Sequence, residues 1–123
     1  MSESTAVTPE QLIGRAREVL RIEADAVARL ADRIDSSFAD ACRMILACAG
    51  RVVVSGIGKS GHVARKIAAT LASTGTPAFF VHPAEASHGD LGMVTRDDVF
   101  VALSNSGSTE ELLTIVPVVK RQG

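Results

Sequence analysis

The segment from Arg51 to Gly61 constrains the fold of this chain more than any other. Val52-Val53-Val54 is a short, wholly apolar, β-branched run that leads directly into Ser55-Gly56-Ile57-Gly58-Lys59-Ser60-Gly61. Branching at Cβ suits a strand and costs rotamer freedom in a helix. A strand that is apolar at every position, not at alternate ones, is covered on both faces, as in a parallel sheet flanked by helices. The glycines that follow read as the tight turn from that strand into a helix.

The same grammar recurs downstream. Ala78-Phe79-Phe80-Val81 and Val99 to Leu103 are two more apolar runs. Between the first two runs lies a helix carrying Val63, Ile67 and Leu71 on one side and stopping near Gly75. A polar loop from His82 to Asp90 follows, then a turn at Thr95-Arg96-Asp97-Asp98. A last helix starts near Ser108, and Pro117 inside it is expected to remove a hydrogen bond and kink it. The order is β-α-β-loop-β-α. Right-handed crossovers then give an α/β fold, a doubly wound parallel sheet of the flavodoxin-like kind. Such sheets usually carry five or more strands, so the chain is expected to be truncated after three, with one edge unprotected.

Upstream, Thr8-Pro9-Glu10-Gln11 reads as a helix start, with Thr8 as N-cap, Pro9 in the first turn and Gln11 completing a capping box. That helix is expected to reach about Ile34, with Val27, Leu30, Ala31 and Ile34 as its apolar stripe. A second helix from about Ser37 presents Phe38, Ala41, Cys42, Ile45, Leu46 and Ala49 on one side, and Gly50 is expected to end it. Residues 1–36 are thus read as an N-terminal helical segment, and 37–123 as the partial sheet domain. The two helices bring no catalytic residue types together, so their stripes suit packing or subunit contact.

Composition narrows the partners. Net charge is −1, no basic run is present, and the aromatics are four Phe with no Trp or Tyr, which argues against a nucleic-acid surface. Met1 to Thr8 has no signal-peptide pattern, and no apolar stretch reaches the roughly 18–20 residues of a membrane helix. Cys42 and Cys48 fall on different faces of one helix, too far apart to pair, and read as buried small hydrophobes of a cytoplasmic protein.

In an open α/β sheet the ligand lies at the carboxyl ends of the strands. Gly56-x-Gly58-x-x-Gly61 matches the dinucleotide fingerprint, yet the acidic residue expected about 20 positions on is missing, since Glu85 comes late and past Pro83. A Walker A loop fails because its first glycine would have to be Val53. Close helix–strand packing explains the glycines but not Lys59 beside Ser55 and Ser60. At the third strand end, Ser104-Asn105-Ser106-Gly107-Ser108-Thr109 sets four hydroxyls at a helix N-terminus, where free N–H groups and the helix dipole already favour an anion. The competing reading is a capping box, Ser108 with Glu111. His82 and His88 share the middle loop with Glu85 and Asp90, and imidazole can move protons near neutral pH. Local hydrogen bonding would account for loop histidines equally well. Their spacing gives only a weak zinc signal.

Taken together, Gly56-Ile57-Gly58-Lys59-Ser60-Gly61, Ala72-Ser73-Thr74-Gly75-Thr76-Pro77, Phe80 to Ala86, His88-Gly89-Asp90-Leu91-Gly92-Met93 and Ser104-Asn105-Ser106-Gly107 resemble the arabinose-5-phosphate isomerases of the sugar isomerase (SIS) fold. The likeness spans about residues 10–123. It implies interconversion of D-ribulose 5-phosphate and D-arabinose 5-phosphate through an enediol, feeding the octulosonate sugar of lipopolysaccharide. It implies catalytic roles for Lys59, His88 and Glu111. Substrate contacts are implied at Ser55, Gly56, Gly58, Ser60, Gly75, Thr76, His82, His88, Ser104, Asn105, Ser106, Ser108, Thr109 and Thr114. No cofactor is required, and zinc can bind at His82 and inhibit. SIS sites are built between subunits, so a homo-oligomer, dimer or tetramer, is expected. Relatives continue into further strands, a later catalytic histidine and CBS domains, so full activity is not expected of this stretch alone. The alternative from another class is a regulatory SIS module that senses a sugar phosphate, which needs the serine loop but not Lys59, His88 and Glu111 together.

Overall fold

A computed structural model describes residues 6–123. The chain divides into two compact units, Met1–Asp40 and Ala41–Gly123. In the first, helix α1 spans Pro9–Leu30 and a 3-10 turn spans Ala31–Arg33. The capping box forms as read: Gln11 N–H donates to the Thr8 hydroxyl at 3.2 Å and Thr8 N–H to Gln11 Oε1 at 2.9 Å. The α-helix ends at Leu30, short of Ile34, because the last turn tightens to 3-10 geometry. Val27, Leu30 and Ile34 are exposed.

Helix α2, Ser36–Leu46, leads to strand β1, Val52–Gly56. Helix α3 is Lys59–Ser73, strand β2 Ala78–Phe80, helix α4 Pro83–Ser87, strand β3 Val99–Leu103 and helix α5 Glu110–Arg121. A 3-10 turn, Asp90–Met93, follows α4; the Asp90 side chain lies outside the described residues. The sheet has the order β2-β1-β3 and both pairings are parallel. No described helix is long and apolar enough to cross a membrane.

β1 is the centre of both cores. Val52 and Val54 face α3, packing with Ala64 and Ala68, while Val53 faces α4 and α5, packing with Ala86, Leu112 and Ile115. Every residue of β1 is buried, which is why the run is apolar throughout. The expected doubly wound arrangement is therefore present around these three strands. Pro117 sits inside α5, and the helix runs through it to Arg121.

Three expectations need correction. Gly50 does not end α2, which stops at Leu46; a Cβ at Gly50 would stand 2.3 Å from Asp98 Oδ1 and 2.8 Å from Asp97 O, so the glycine admits the chain entering β3. The cysteines are half-buried, not buried, and Cys48 Sγ donates to the carbonyls of Arg51 and Asp97. The stretch after His82 is not a simple loop, because Pro83 opens α4 with His82 as its N-cap.

Asp98 closes the amino end of β1. Its carboxylate accepts from Arg51 N–H at 2.7 Å and Thr95 N–H at 2.8 Å, with the Arg51 guanidinium 3.9 Å away. Burial pushes this carboxyl up, but the N–H groups of Thr95 and Arg51, the Thr95 hydroxyl and the guanidinium outweigh it and hold the pKa below the ordinary carboxylate value. With the folded pKa below the unfolded one of about 3.9, the native state binds fewer protons; its stabilisation is full above that value and is lost as pH falls. We expect Asp98→Asn to cost roughly 1–3 kcal/mol at pH 7 in urea unfolding, and less at pH 3. An equal cost at both pH values would refute the ionic part of this account.

Candidate functional site

The site is built on the contact between the end of β1 and the start of α3. A Cβ on Gly61 would lie 2.7 Å from the Gly56 carbonyl oxygen, and one on Gly56 would lie 2.9 Å from the Ser60 carbonyl. Glycine at both positions lets the first helical turn rest on the strand. The same closeness selects small residues along α3, whose buried face is Gly61, Ala64 and Ala68. The stripe expected at Val63, Ile67 and Leu71 is thus displaced: Val63 is 53% exposed, and Ile67 and Leu71 flank the contact. Gly58 is the N-cap and no side chain caps this helix. The first-turn N–H groups therefore have no intrahelical or side-chain partner.

Ser55 does not join the site through its side chain. It is fully buried and donates to the Val81 carbonyl at 2.7 Å, tying β1 to the residue after β2. Left unpaired there, the hydroxyl would cost roughly 1–3 kcal/mol.

One cavity, of about 340 Å³, lies where the strand order reverses between β1 and β3. Lys59, Ser60 and Val63 form one wall, and Leu103, Ser104 and Asn105 the other. Beyond Asn105 the serine loop ties itself together. Ser104 Oγ accepts from Gly107 N–H at 3.0 Å and lies 3.0 Å from Thr109 Oγ1, while Ser106 Oγ accepts from Ser108 N–H at 3.2 Å. An accepting hydroxyl still has its own proton to donate, so Ser106 keeps a donor for a ligand.

The capping box of Ser108 and Glu111 is absent. α5 starts one residue later, with Thr109 as N-cap and no side-chain cap bond. That removes the competing explanation for the hydroxyls and leaves the first N–H groups of α5 uncapped. Glu110 and Glu111 already occupy this first turn, so positive charge for an anion must come from across the crevice, where Lys59 stands.

A second cavity, of about 190 Å³, shares no residue with the first. Gly56, Gly58 and Gly61 contribute to it together with His62, Arg65, Phe80 and His82. His82 Nδ1 accepts from Ala84 N–H at 3.1 Å, which leaves Nε2 for a ligand. Sequence reasoning missed His62 and Arg65; their place one and four residues after Gly61 was the available signal. Among the described residues no three or more of His, Cys, Asp and Glu are grouped to hold a metal ion.

The remaining candidates stand apart from both cavities. His88 is the exposed C-cap of α4, and Glu111 is exposed in the first turn of α5. The Thr114 hydroxyl donates back to the Glu110 carbonyl at 2.9 Å. Gly75 and Thr76 close α3 at the amino end of β2, with Thr76 N–H donating to Leu71 O at 2.9 Å, away from the strand ends that carry the other candidates.

The SIS domain family matches residues 45–123. Arabinose 5-phosphate isomerase KdsD of Pseudomonas aeruginosa is 63% identical over 111 residues, covering 90% of this chain and 34% of that protein. The protein of the same name from Escherichia coli K12 is 57% identical over 105 residues, covering 85% of this chain and 32% of its own length. The chain thus spans about a third of the curated relatives it matches. Among solved structures, E. coli CFT073 c3406 in complex with arabinose 5-phosphate superposes with a TM-score of 0.89 at 48% identity, covering 95% of this chain and 62% of that one.

The Gly56–Gly61 contact yields a direct expectation. Gly61→Ala sets a methyl against backbone, which must shift, at a cost of about 1–3 kcal/mol in urea unfolding. Gly92→Ala, with open space around its Cβ position, should cost well under half as much. Equal costs would show that the close approach is not what holds glycine at position 61.

Proposed function

The chain belongs to the SIS domain family, and from that premise we propose that it is the phosphate-holding part of an aldose–ketose isomerase interconverting D-ribulose 5-phosphate and D-arabinose 5-phosphate. The observation that carries this reading is Lys59 facing Ser104 and Asn105 across one cavity. A phosphate seats against the serine loop and the uncapped start of α5, with hydroxyls of Ser106 and Ser108 donating and Lys59 balancing its charge. Ser60, Gly56 and Gly58 line the approach from the β1 side.

The chemistry moves a proton between C1 and C2 through an enediol, which calls for a base and for stabilisation of the oxygen that becomes negative. Glu111 is the carboxylate suited to the base role, Lys59 to the oxyanion, and His88 to polarising or protonating the carbonyl. The sugar as a whole is neither oxidised nor reduced, so no redox cofactor is called for. His88 and Glu111 line neither cavity, which supports a site completed by a second copy of the chain, the arrangement that would also bring Gly75 and Thr76 to the substrate. In this reading the enzyme is cytoplasmic and supplies octulosonate for lipopolysaccharide. The sensing alternative would use the serine loop without Lys59, and Lys59 on the wall of the same cavity favours the isomerase.

Titration of this chain by calorimetry separates the possibilities. Arabinose 5-phosphate should bind, arabinose should not, and Lys59→Ala should weaken binding roughly 10- to 100-fold, the range of a charge-assisted hydrogen bond. Binding of NAD in place of arabinose 5-phosphate, or equal binding of arabinose, would overturn the proposal.

A further inference from the structure

At the amino end of the sheet, one side chain reaches across to the stretch of chain that follows His88. We infer that Arg51 is a positioning residue for His88: its guanidinium pins that stretch to the start of β1. Upstream, His88 is fixed, since Pro83 and Ala86 of α4 are buried. Downstream, the backbone is free to turn. Gly89 has φ 121° and Gly92 has open space around its Cβ position, so neither is restricted as a larger residue would be. The N–H groups of His88, Gly89, Gly92 and Val94 donate to carbonyls three residues back. Among the described residues, no backbone hydrogen bond joins residues 88–94 to the sheet. Leu91 and Val94 pack on the core around Val53, but apolar contact is non-directional and does not set how the backbone is turned.

Arg51 supplies the directional tie. Its Nη2 donates to the Met93 carbonyl at 2.8 Å, across 42 positions of sequence. The same guanidinium lies over the Phe79 ring, 4.6 Å from the centroid, and its Nη2 stands 3.9 Å from Asp98 Oδ2. A planar, permanently charged fork can stack on one group while donating to others, so this side chain is held from three directions. Met93 closes the 3-10 turn Asp90–Met93. With Met93 held at one end and α4 at the other, His88 lies between two anchors. Arg51 lines neither cavity, so it acts through the backbone and not by touching a ligand. That His88 takes part in catalysis rests on the isomerase reading; that Arg51 orders the stretch behind it does not.

NMR and amide hydrogen exchange of the chain test this. In the unmodified chain the two Arg51 Nη nitrogens should give separate signals, as a guanidinium pinned against rotation does; one averaged signal would overturn the proposal. Arg51→Met keeps the apolar stem and removes the donor. It should speed exchange at Gly92 and Val94 by roughly 10- to 100-fold, the range of a charge-assisted hydrogen bond, beyond any change at Val53 and Val54. The His88 imidazole signals should shift with it, while those of His82, at the opposite end of α4, stay in place. An arginine that only stabilises the whole fold would speed exchange at all of these amides alike and move both histidines or neither, and that result would overturn the proposal. Arg51→Lys, which keeps a charge and a donor, should return Gly92 and Val94 close to the unmodified rates. Loosening as large as in Arg51→Met would overturn the assignment to the Met93 bond. Failure of arabinose 5-phosphate to bind would leave all of these readings unchanged, so the isomerase reading and this one fail separately.

Discussion

The backbone of α3 touches the backbone of β1 at Gly56 and Gly61, and the ligand-facing features of the molecule follow from that contact. An ordinary helix–sheet distance leaves room for a layer of side chains between the elements. At Gly56 and Gly61 there is none, as a Cβ on either glycine would meet backbone at 2.7–2.9 Å. The helix N-terminus is thereby drawn to the carboxyl edge of the sheet. Its first two turns present Lys59 and Ser60 to the β3 side and His62 and Arg65 to the β2 side. A longer residue at position 64 or 68 would push the helix off the sheet and dissolve both cavities, which is why alanine fills the buried face.

A contact this close needs a strand that does not move, and β1 is anchored at both ends. At the amino end, Asp98 receives Arg51 N–H while Gly50 N–H donates to Asp97 O at 2.8 Å. Toward the carboxyl end, the buried Ser55 hydroxyl reaches the Val81 carbonyl. Between them Val52, Val53 and Val54 have no exposed surface and serve two cores. Polar bonds at the ends and dispersion in the middle hold one strand from different directions, and the two ligand-facing turns inherit its rigidity.

How much of this is legible in the sequence depends on whether the cause is local. The three apolar runs, the Thr8 capping box and the turn at residues 95–98 rest on neighbouring residues, and each stands where the pattern puts it. Gly50 misleads because its reason, the approach of Asp97 and Asp98, lies 47 or more positions away in the chain. Val63 reads as core because apolar periodicity weighs residue size, whereas a helix pressed on a sheet buries its smallest side chains. His82 before Pro83 repeats the grammar of Thr8 before Pro9, but imidazole is a rare cap and the short helix passes for a loop. At Ser108 the box pattern is present and unused: the Ser104 and Thr109 hydroxyls bond to each other, and the Ser108 N–H donates to the Ser106 hydroxyl. The site residues are legible as types at strand ends; which flank of α3 each one serves depends on helix rotation, which periodicity alone misassigns.

That rotation also sets what one copy of the chain can do. Lys59 lines one cavity with Ser104 and Asn105, yet His88 caps the short α4 and Glu111 rides on α5, and both are exposed without lining it. Proton transfer demands hydrogen-bond distance between base and carbon-bound proton, a tighter requirement than holding a phosphate. Phosphate binding tolerates donors arriving from flexible side chains, because the anion offers several oxygens and the helix dipoles act over the whole first turn. On the proposed reading, a single chain therefore holds the phosphate before it has the geometry for chemistry. On the proposed isomerase reading, the surfaces bearing His88 and Glu111 are where a second copy of the chain closes over the substrate.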